Sequence, residues 1–329
     1  MISPKEFYKI LVHFLYIFVY QLNQKLDMKN SDLLDVIIVG GSYAGLSAAM
    51  SLGRSLRKVL VLDNGKPCNR QTPYSHNFIT HDGEKPLEIL KTAKKQVENY
   101  DTITFFEGLA IEGKKTENGF EVITENGESF KAKKLIFATG ITDDIPNIKG
   151  FKECWGISLI HCPYCHGYEF RNRKTAIIAN GDRGFHLSSI IKNLTDDITI
   201  FTRGEACFTD EQLQKLSENK ISIIETEIEE MVHHKGSVDY LSLNNSKKLN
   251  FDAVYGAFHF KQHSDIPGSL GCKFTEHGHL VVDHKQMTTE AGIYACGDNS
   301  SILRSVANAV HTGNFTGAMV NMELSNEVF

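Results

Sequence analysis

The sequence predicts an α/β protein made of two Rossmann-like dinucleotide-binding domains of the three-layer ββα kind, the second inserted into the first. Three observations lead there. A strand, a glycine-rich turn, a helix and a second strand follow one another between residues 33 and 63. The same order restarts near residue 175. At the C-terminal end a short apolar strand and a long helix of small residues resume the first theme.

The first unit opens with an unbroken apolar run at 33–39, the pattern of a strand buried on both faces. Residues 44–56, dense in Ala, Ser and Gly, read as a helix pressed close to a sheet, and 58–62 as the next buried strand, ending at Asp63. Short strand-like pieces then cover 109–130. Asn118-Gly119 and Asn126-Gly127 lie between them, and Asn-Gly is a strong hairpin signal because both residues tolerate positive φ. A further buried strand, 135–139, closes this part. In the second unit 176–179, 198–202 and 221–225 read as strands, with helices at 185–194 and 210–218. An antiparallel stretch follows and ends at 253–258. The tail gives a strand at 292–295 and a helix at 304–322. The expected boundaries are 33–145 and 263–329 for the outer domain and 146–262 for the inserted one.

Residues 1–32 are set apart as an N-terminal extension. The apolar stretch at 7–20 is interrupted by Lys9 and His13. As a helix it would span ~21 Å, short of the ~30 Å hydrocarbon core of a bilayer. No small-residue cleavage site follows it. Met28 stands just before the first strand, so 1–27 read as an upstream extension outside the fold, a membrane anchor being the alternative.

The chain of 329 residues suits two domains. With 41% apolar and 23% charged residues its composition is that of a globular protein, and a net charge of −5 gives no general attraction to nucleic acid or anionic membrane. Seven cysteines cannot all pair. Five (Cys68, Cys154, Cys207, Cys272, Cys296) are scattered as idle thiols usually are, and two form a Cys-x-x-Cys. One reactive pair among free thiols fits a reducing, cytoplasmic setting.

The first turn, Gly40-Gly41-Ser42-Tyr43-Ala44-Gly45, is an imperfect dinucleotide fingerprint with Ser42 in the middle glycine position. Serine is small enough to leave the helix N-terminus open to a pyrophosphate. Asp63, at the end of the second strand, stands where a carboxylate accepts hydrogen bonds from an adenosine ribose. The alternative is a tightly packed turn with no ligand. The second turn, Ala179-Asn180-Gly181-Asp182-Arg183-Gly184, lacks its first glycine, and only Arg203 is at hand for a 2′-phosphate. NADP(H) or NAD(H) would sit at Gly181, Gly184 and Arg203, or this domain keeps the shape without the ligand.

His161-Cys162-Pro163-Tyr164-Cys165-His166 is the sharpest feature. Two thiols at this spacing close a small disulfide ring, in which one attacks a disulfide and the other resolves the mixed intermediate. Flanking imidazoles stabilise a thiolate or move its proton. A zinc site would need four ligands, and there is no second Cys-x-x-Cys, so no metal is assigned. A glutaredoxin-like module shares Cys-Pro-Tyr-Cys but would be far shorter. The pair His259 and His263 reads as solvated loop, and Cys296 as core.

From residue 33 to 325 this ordering resembles the low-molecular-weight thioredoxin reductase family, FAD-dependent enzymes that carry the redox pair in the inserted domain after a strand end such as Ala138-Thr139-Gly140. The resemblance implies FAD held by Gly40, Ser42, Ala44, Gly45, Asp63, Asn77, Thr139, Gly140, Gly297, Asp298, Ser305 and Val306. It also implies a homodimer, with Cys165 facing the flavin and Cys162 facing the substrate. Two departures stand out. His166 replaces the Asp that usually follows the second cysteine, and the basic cluster for NADPH is reduced to Arg203. Residues 162–169, CPYCHGYE, look instead like the branch containing gliotoxin- and holomycin-type dithiol oxidases. Three readings stay open: an NADPH-dependent thioredoxin reductase, an oxygen-linked dithiol oxidase with catalytic Cys162, Cys165 and His166, and a flavin-binding redox sensor. The expected partner is a dithiol or disulfide, either a small molecule or a thioredoxin-like protein.

Overall fold

The computed structural model describes residues 33–329; the expected extension at 1–32 lies outside the described residues. Strand β1 (Leu34–Val39) leads through a tight turn into helix α1 (Tyr43–Arg54) and on to β2 (Val59–Asp63). Helix α2 (Pro86–Val97) and β3 (Ile103–Glu107) complete a parallel unit, with β1 paired to β2 and β2 to β3. The hairpin β4 (Ala110–Thr116) and β5 (Gly119–Thr124) turns at Asn118, and β6 (Ser129–Phe137) follows after Gly127, as the two Asn-Gly pairs predict.

β6 is long because it serves two partners on one side. Its first half pairs antiparallel with β5 and its second half in parallel with the C-terminal strand at Ile293–Ala295, while β1 runs parallel to it on the opposite edge. Alternate residues of β1 fall into two separate cores. Val36 and Ile38 pack with the helices, and Ile37 and Val39 with the side formed by Phe120, Val122 and Leu280. An apolar run without alternation is what a strand covered on both faces requires.

A short strand β7 (Ile141–Asp143) leaves this sheet, and helix α3 (Phe151–Cys154) begins the inserted part. There β8 (Leu159–Ile160) runs straight into helix α4 (Pro163–His166), which carries the redox pair. The unit β9 (Thr175–Ile178), α5 (Gly181–Ile191), β10 (Ile198–Phe201), α6 (Asp210–Glu218) and β11 (Ser222–Ile224) is the second Rossmann-like repeat. A three-stranded antiparallel sheet, β12 (Ile228–His234), β13 (Ser237–Leu243) and β14 (Lys248–Asn250), precedes β15 (Ala253–Gly256). The parallel sheet runs β11-β10-β9-β15-β8, so the redox helix follows the carboxyl end of an edge strand. Ligands gather at such strand ends in open α/β sheets.

Strand β16 (Phe260–Gln262) pairs antiparallel with β7, making a two-stranded ribbon where the chain enters and leaves the inserted part. After a short helix α7 (Ile266–Ser269), β17 (Ile293–Ala295) pairs with the second half of β6, and helix α8 (Val306–Asn326) packs along α1. The insertion read from the sequence is thus the observed architecture.

Two helix starts differ from the sequence reading. α5 begins at Gly181 rather than 185, because Asn180 caps it with its side chain. α8 begins at Val306 rather than 304, because Ser305 Oγ accepts from the Asn308 amide and fixes the N-terminus there. Among the described residues no helix is long and apolar enough to cross a membrane.

Candidate active site

The first glycine turn is built for close backbone approach. Gly40 has φ of +104°, and a Cβ there would lie 2.3 Å from the Ala138 carbonyl oxygen. A Cβ on Gly45 would lie 1.8 Å from the Gly40 carbonyl oxygen, so α1 can start this tightly against β1 only with glycine. Ser42 stands at the N-cap of α1, yet no side chain caps the helix. Its first amides therefore remain available to a ligand. Asp63 accepts hydrogen bonds from the Gly41 amide (3.0 Å) and the Gly65 amide (3.2 Å), which aims its carboxylate along the groove beside the turn.

Two cavities meet here. One takes in Gly40, Asp63 and Thr139; the other takes in Ala44, Gly297, Asp298, Ser305, Val306 and Cys165. Ser42, Cys68, Ala138 and Gly140 line both. The two cavities share lining residues and together run from the Asp63 carboxylate, past an uncapped helix N-terminus, to Cys165. These groups fit an extended dinucleotide such as FAD. Gly45 lies beneath the turn as a packing residue. Asn77 is exposed with φ of +59° and does not line either cavity; Ser75 and His76 of the same loop do.

At the inner end, Arg304 makes a bidentate pair with Asp143 (2.8 and 2.7 Å) and stands 3.7 Å from Asp298. Burial pushes the Asp298 carboxyl up to about 6, against the pull of the Arg304 charge. Cys68, at the junction of the cavities, has its thiol pushed up to about 11, first by burial and then by the Asp298 carboxylate. Cys296 is buried at the end of β17, with its thiol pushed up to about 12 by burial, and belongs to the core as the sequence suggests.

Cys162 and Cys165 form a disulfide with Cα atoms 5.3 Å apart. Only Cys165 lines the cavity, and its Sγ lies 3.8 Å from the Arg304 carbonyl oxygen. Cys162 is the N-cap of α4, with the Cys165 amide 3.1 Å from its sulfur. The two flanking imidazoles are held neutral. His161 stacks on Trp155, its Nε2 is shielded and unpartnered, and burial with the Arg304 charge pushes its pKa down to about 3. His166 also titrates below the ordinary histidine value, because of burial and the neighbouring His76, with Glu169 pulling the other way.

The second turn is different. Asn180 Oδ1 accepts from both the Gly181 and Cys207 amides at 2.8 Å, filling the helix N-terminus that a pyrophosphate would need. Asp182 adds a negative charge in the first turn. Arg203 pairs with Glu227 at 3.5 Å, and Glu225 accepts from the Ala206 amide beside it. Gly181, Gly184 and Arg203 occupy the expected positions in the fold, but the groups around them are capped or acidic.

A model of the pyridine nucleotide-disulphide oxidoreductase family matches residues 34–313. The chain belongs to that family. It is 30% identical over 310 residues to thioredoxin reductase tcpT of Claviceps purpurea, covering 90% of this chain and 96% of that protein. Among solved structures, an oxidoreductase from Agrobacterium tumefaciens superposes with a TM-score of 0.84 at 34% identity, covering 90% of this chain and 99% of the other. A putative thioredoxin reductase TrxB from Bacillus anthracis gives 0.85 at 28% identity, covering 90% and 100%. This oxidoreductase is accordingly a thioredoxin-reductase-like flavoprotein. Sequence reasoning missed Asp143, Trp155 and His76, which come from separate segments of both domains with no local pattern to mark them, and it gave no role to Glu169, the last residue of the CPYCHGYE run.

Proposed function

We propose that this oxidoreductase converts a dithiol to its disulfide, passing electrons from the Cys162–Cys165 pair to FAD and on to dioxygen. The observation that carries this reading is the second nucleotide turn, where Asn180 fills the helix N-terminus and Glu227 engages Arg203. A 2′-phosphate entering there would lose charge-assisted hydrogen bonds of about 1.5–3 kcal/mol each. The likeness of residues 162–169 to the dithiol oxidase branch points the same way.

In the forward half-reaction a substrate thiolate attacks Cys162 Sγ. The Cys162–Cys165 bond breaks, a substrate–Cys162 disulfide forms, and the Cys165 thiolate leaves on the cavity side. The second substrate thiolate then attacks the substrate sulfur of the mixed disulfide, releasing the cyclic product and the Cys162 thiolate. Two thiol protons must go elsewhere. His166, neutral at working pH, takes one, whereas the buried His161, with its pKa pushed down to about 3, stays neutral and takes none. When bound, FAD supplies the two-electron acceptor that restores the cysteine disulfide and hands the electrons to dioxygen. A thioredoxin reductase proper, the reading favoured by the names of the relatives, would run the same pair in the opposite direction with NADPH.

Anaerobic stopped-flow mixing with NADPH, NADH and a small dithiol separates the two. Fast flavin reduction by the dithiol, slow reduction by either nicotinamide and peroxide formation on admitting air are expected. Saturable reduction by micromolar NADPH coupled to thioredoxin would reject the oxidase reading. No turnover with any dithiol or nicotinamide would leave a redox sensor.

A further inference from the structure

His76 belongs to the loop between β2 and α2 of the outer domain, yet it reaches the redox helix of the inserted one. Its ring meets the His166 ring edge-on, with centroids 6.5 Å apart and planes at 89°. Each of its nitrogens faces a carboxylate. Nδ1 is 3.6 Å from Asp82, and Nε2 is 3.7 Å from Glu169. Asp82 is further fixed by the Asn77 amide at 2.8 Å. His76 is only 20% exposed at its side chain, and it lines the cavity beside His166 and Cys165. A histidine caught between two carboxylates and set against a second histidine has no packing reason to be polar on both nitrogens. Its neighbours fix its ring against His166, where its charge and that of Glu169 act on the His166 ring in opposite senses.

We propose that His76 and Glu169 are positioning residues for the His166 base, bearing on it with opposite charge and so setting how readily it takes the substrate thiol proton. The inference rests on the dithiol-oxidising reading above. The groups around His166 are His76 from the outer-domain loop, Glu169 from its own turn and His161 at the end of β8. Asp82 stands behind His76, and the buried Tyr255 of β15 faces Glu169. In this set a charge on His76 disfavours the protonated His166 and the Glu169 carboxylate favours it. His76 and Glu169 themselves face each other, so each also moderates the other.

The test uses the FAD-loaded full chain and the variants His76→Gln and Glu169→Gln. Anaerobic flavin reduction by a small dithiol is followed from about pH 4.5 to pH 9, because the His166 base titrates below the ordinary imidazole value and its acid limb lies at the low end of that range. His76→Gln is expected to move that limb to higher pH and Glu169→Gln to lower pH, each with the high-pH rate little changed. A merely structural role would lower the rate at all pH values or move both limbs the same way, and either result overturns the proposal. Selective histidine NMR, with the His166 signal assigned by His166→Asn, reads the same opposite displacements without any turnover. Wild-type protein that no dithiol reduces would reject the proposed function, while the NMR titrations would still decide on the His76–Glu169 pair. Parallel displacements in the NMR, or none, sink it.

Discussion

Asp298→Asn tests whether the inner cavity is built for a cofactor at the expense of stability. The carboxyl is buried beside Arg304, whose better partner is Asp143, and burial raises its pKa from 3.8 to about 6. In this case the folded state holds the proton more tightly than the unfolded chain. The stabilisation is complete below pH 3.8 and is lost as pH rises through 6. At about 1.36 kcal/mol per pH unit, the whole loss is about 3 kcal/mol, of which about 2 kcal/mol falls between pH 4.5 and 7.5. The asparagine variant carries no such loss. In flavin-stripped protein, the stability of Asp298→Asn relative to wild type should therefore improve by about 2 kcal/mol over that interval, measured by urea unfolding at both pH values. The same variant should bind FAD more weakly than wild type in a fluorescence titration, because the amide is a poorer acceptor for ribityl hydroxyls. A stability difference that does not change with pH would refute the reasoning about burial. Undiminished FAD affinity would refute the assignment of the site.

Three further outcomes are expected. In reduced protein, iodoacetamide should modify Cys162 before Cys165, and Cys162→Ser or Cys165→Ser should each abolish flavin reduction by dithiol; a reversed order of labelling, read by mass spectrometry, would exchange their roles. Asn180→Ala should lower thermal stability by about 1 kcal/mol through loss of the α5 cap while leaving FAD content unchanged, and a drop in bound flavin would show that the second turn contributes to the FAD site. Gly45→Ala, whose Cβ would lie 1.8 Å from the Gly40 carbonyl oxygen, should cost about 3 kcal/mol or more and prevent FAD uptake. Soluble Gly45→Ala protein with full flavin content would show that the turn is looser than its geometry.

Much of the site was legible because its chemistry is local. The Cys-x-x-Cys between two histidines, the glycines of the first turn and the carboxylate ending β2 each declare themselves within a few residues. The extent of β6 and its division between β5 and β17 was not legible. Strand pairing at a distance leaves no mark on an apolar run beyond its length. The second turn was legible as weak from its missing first glycine and lone Arg203, but the engagement of the Gly181 and Cys207 amides by the Asn180 side chain was not.

The sequence by itself determined the α/β class, the insertion of one domain in the other and the redox pair. Hydrophobic period, turn glycines and cysteine spacing are properties of neighbouring residues, and they act before the chain closes on itself. The family resemblance implied that Cys165 faces inward, as the structure has it, but only the tertiary structure decided which charges surround it. Asp143 and Arg304 are 161 residues apart, and His76 meets Glu169 only across the domain junction. Coulomb interaction and desolvation depend on distance and burial, not on separation along the chain. The lowered pKa of His166 exists only once burial and the distant His76 loop are brought to it.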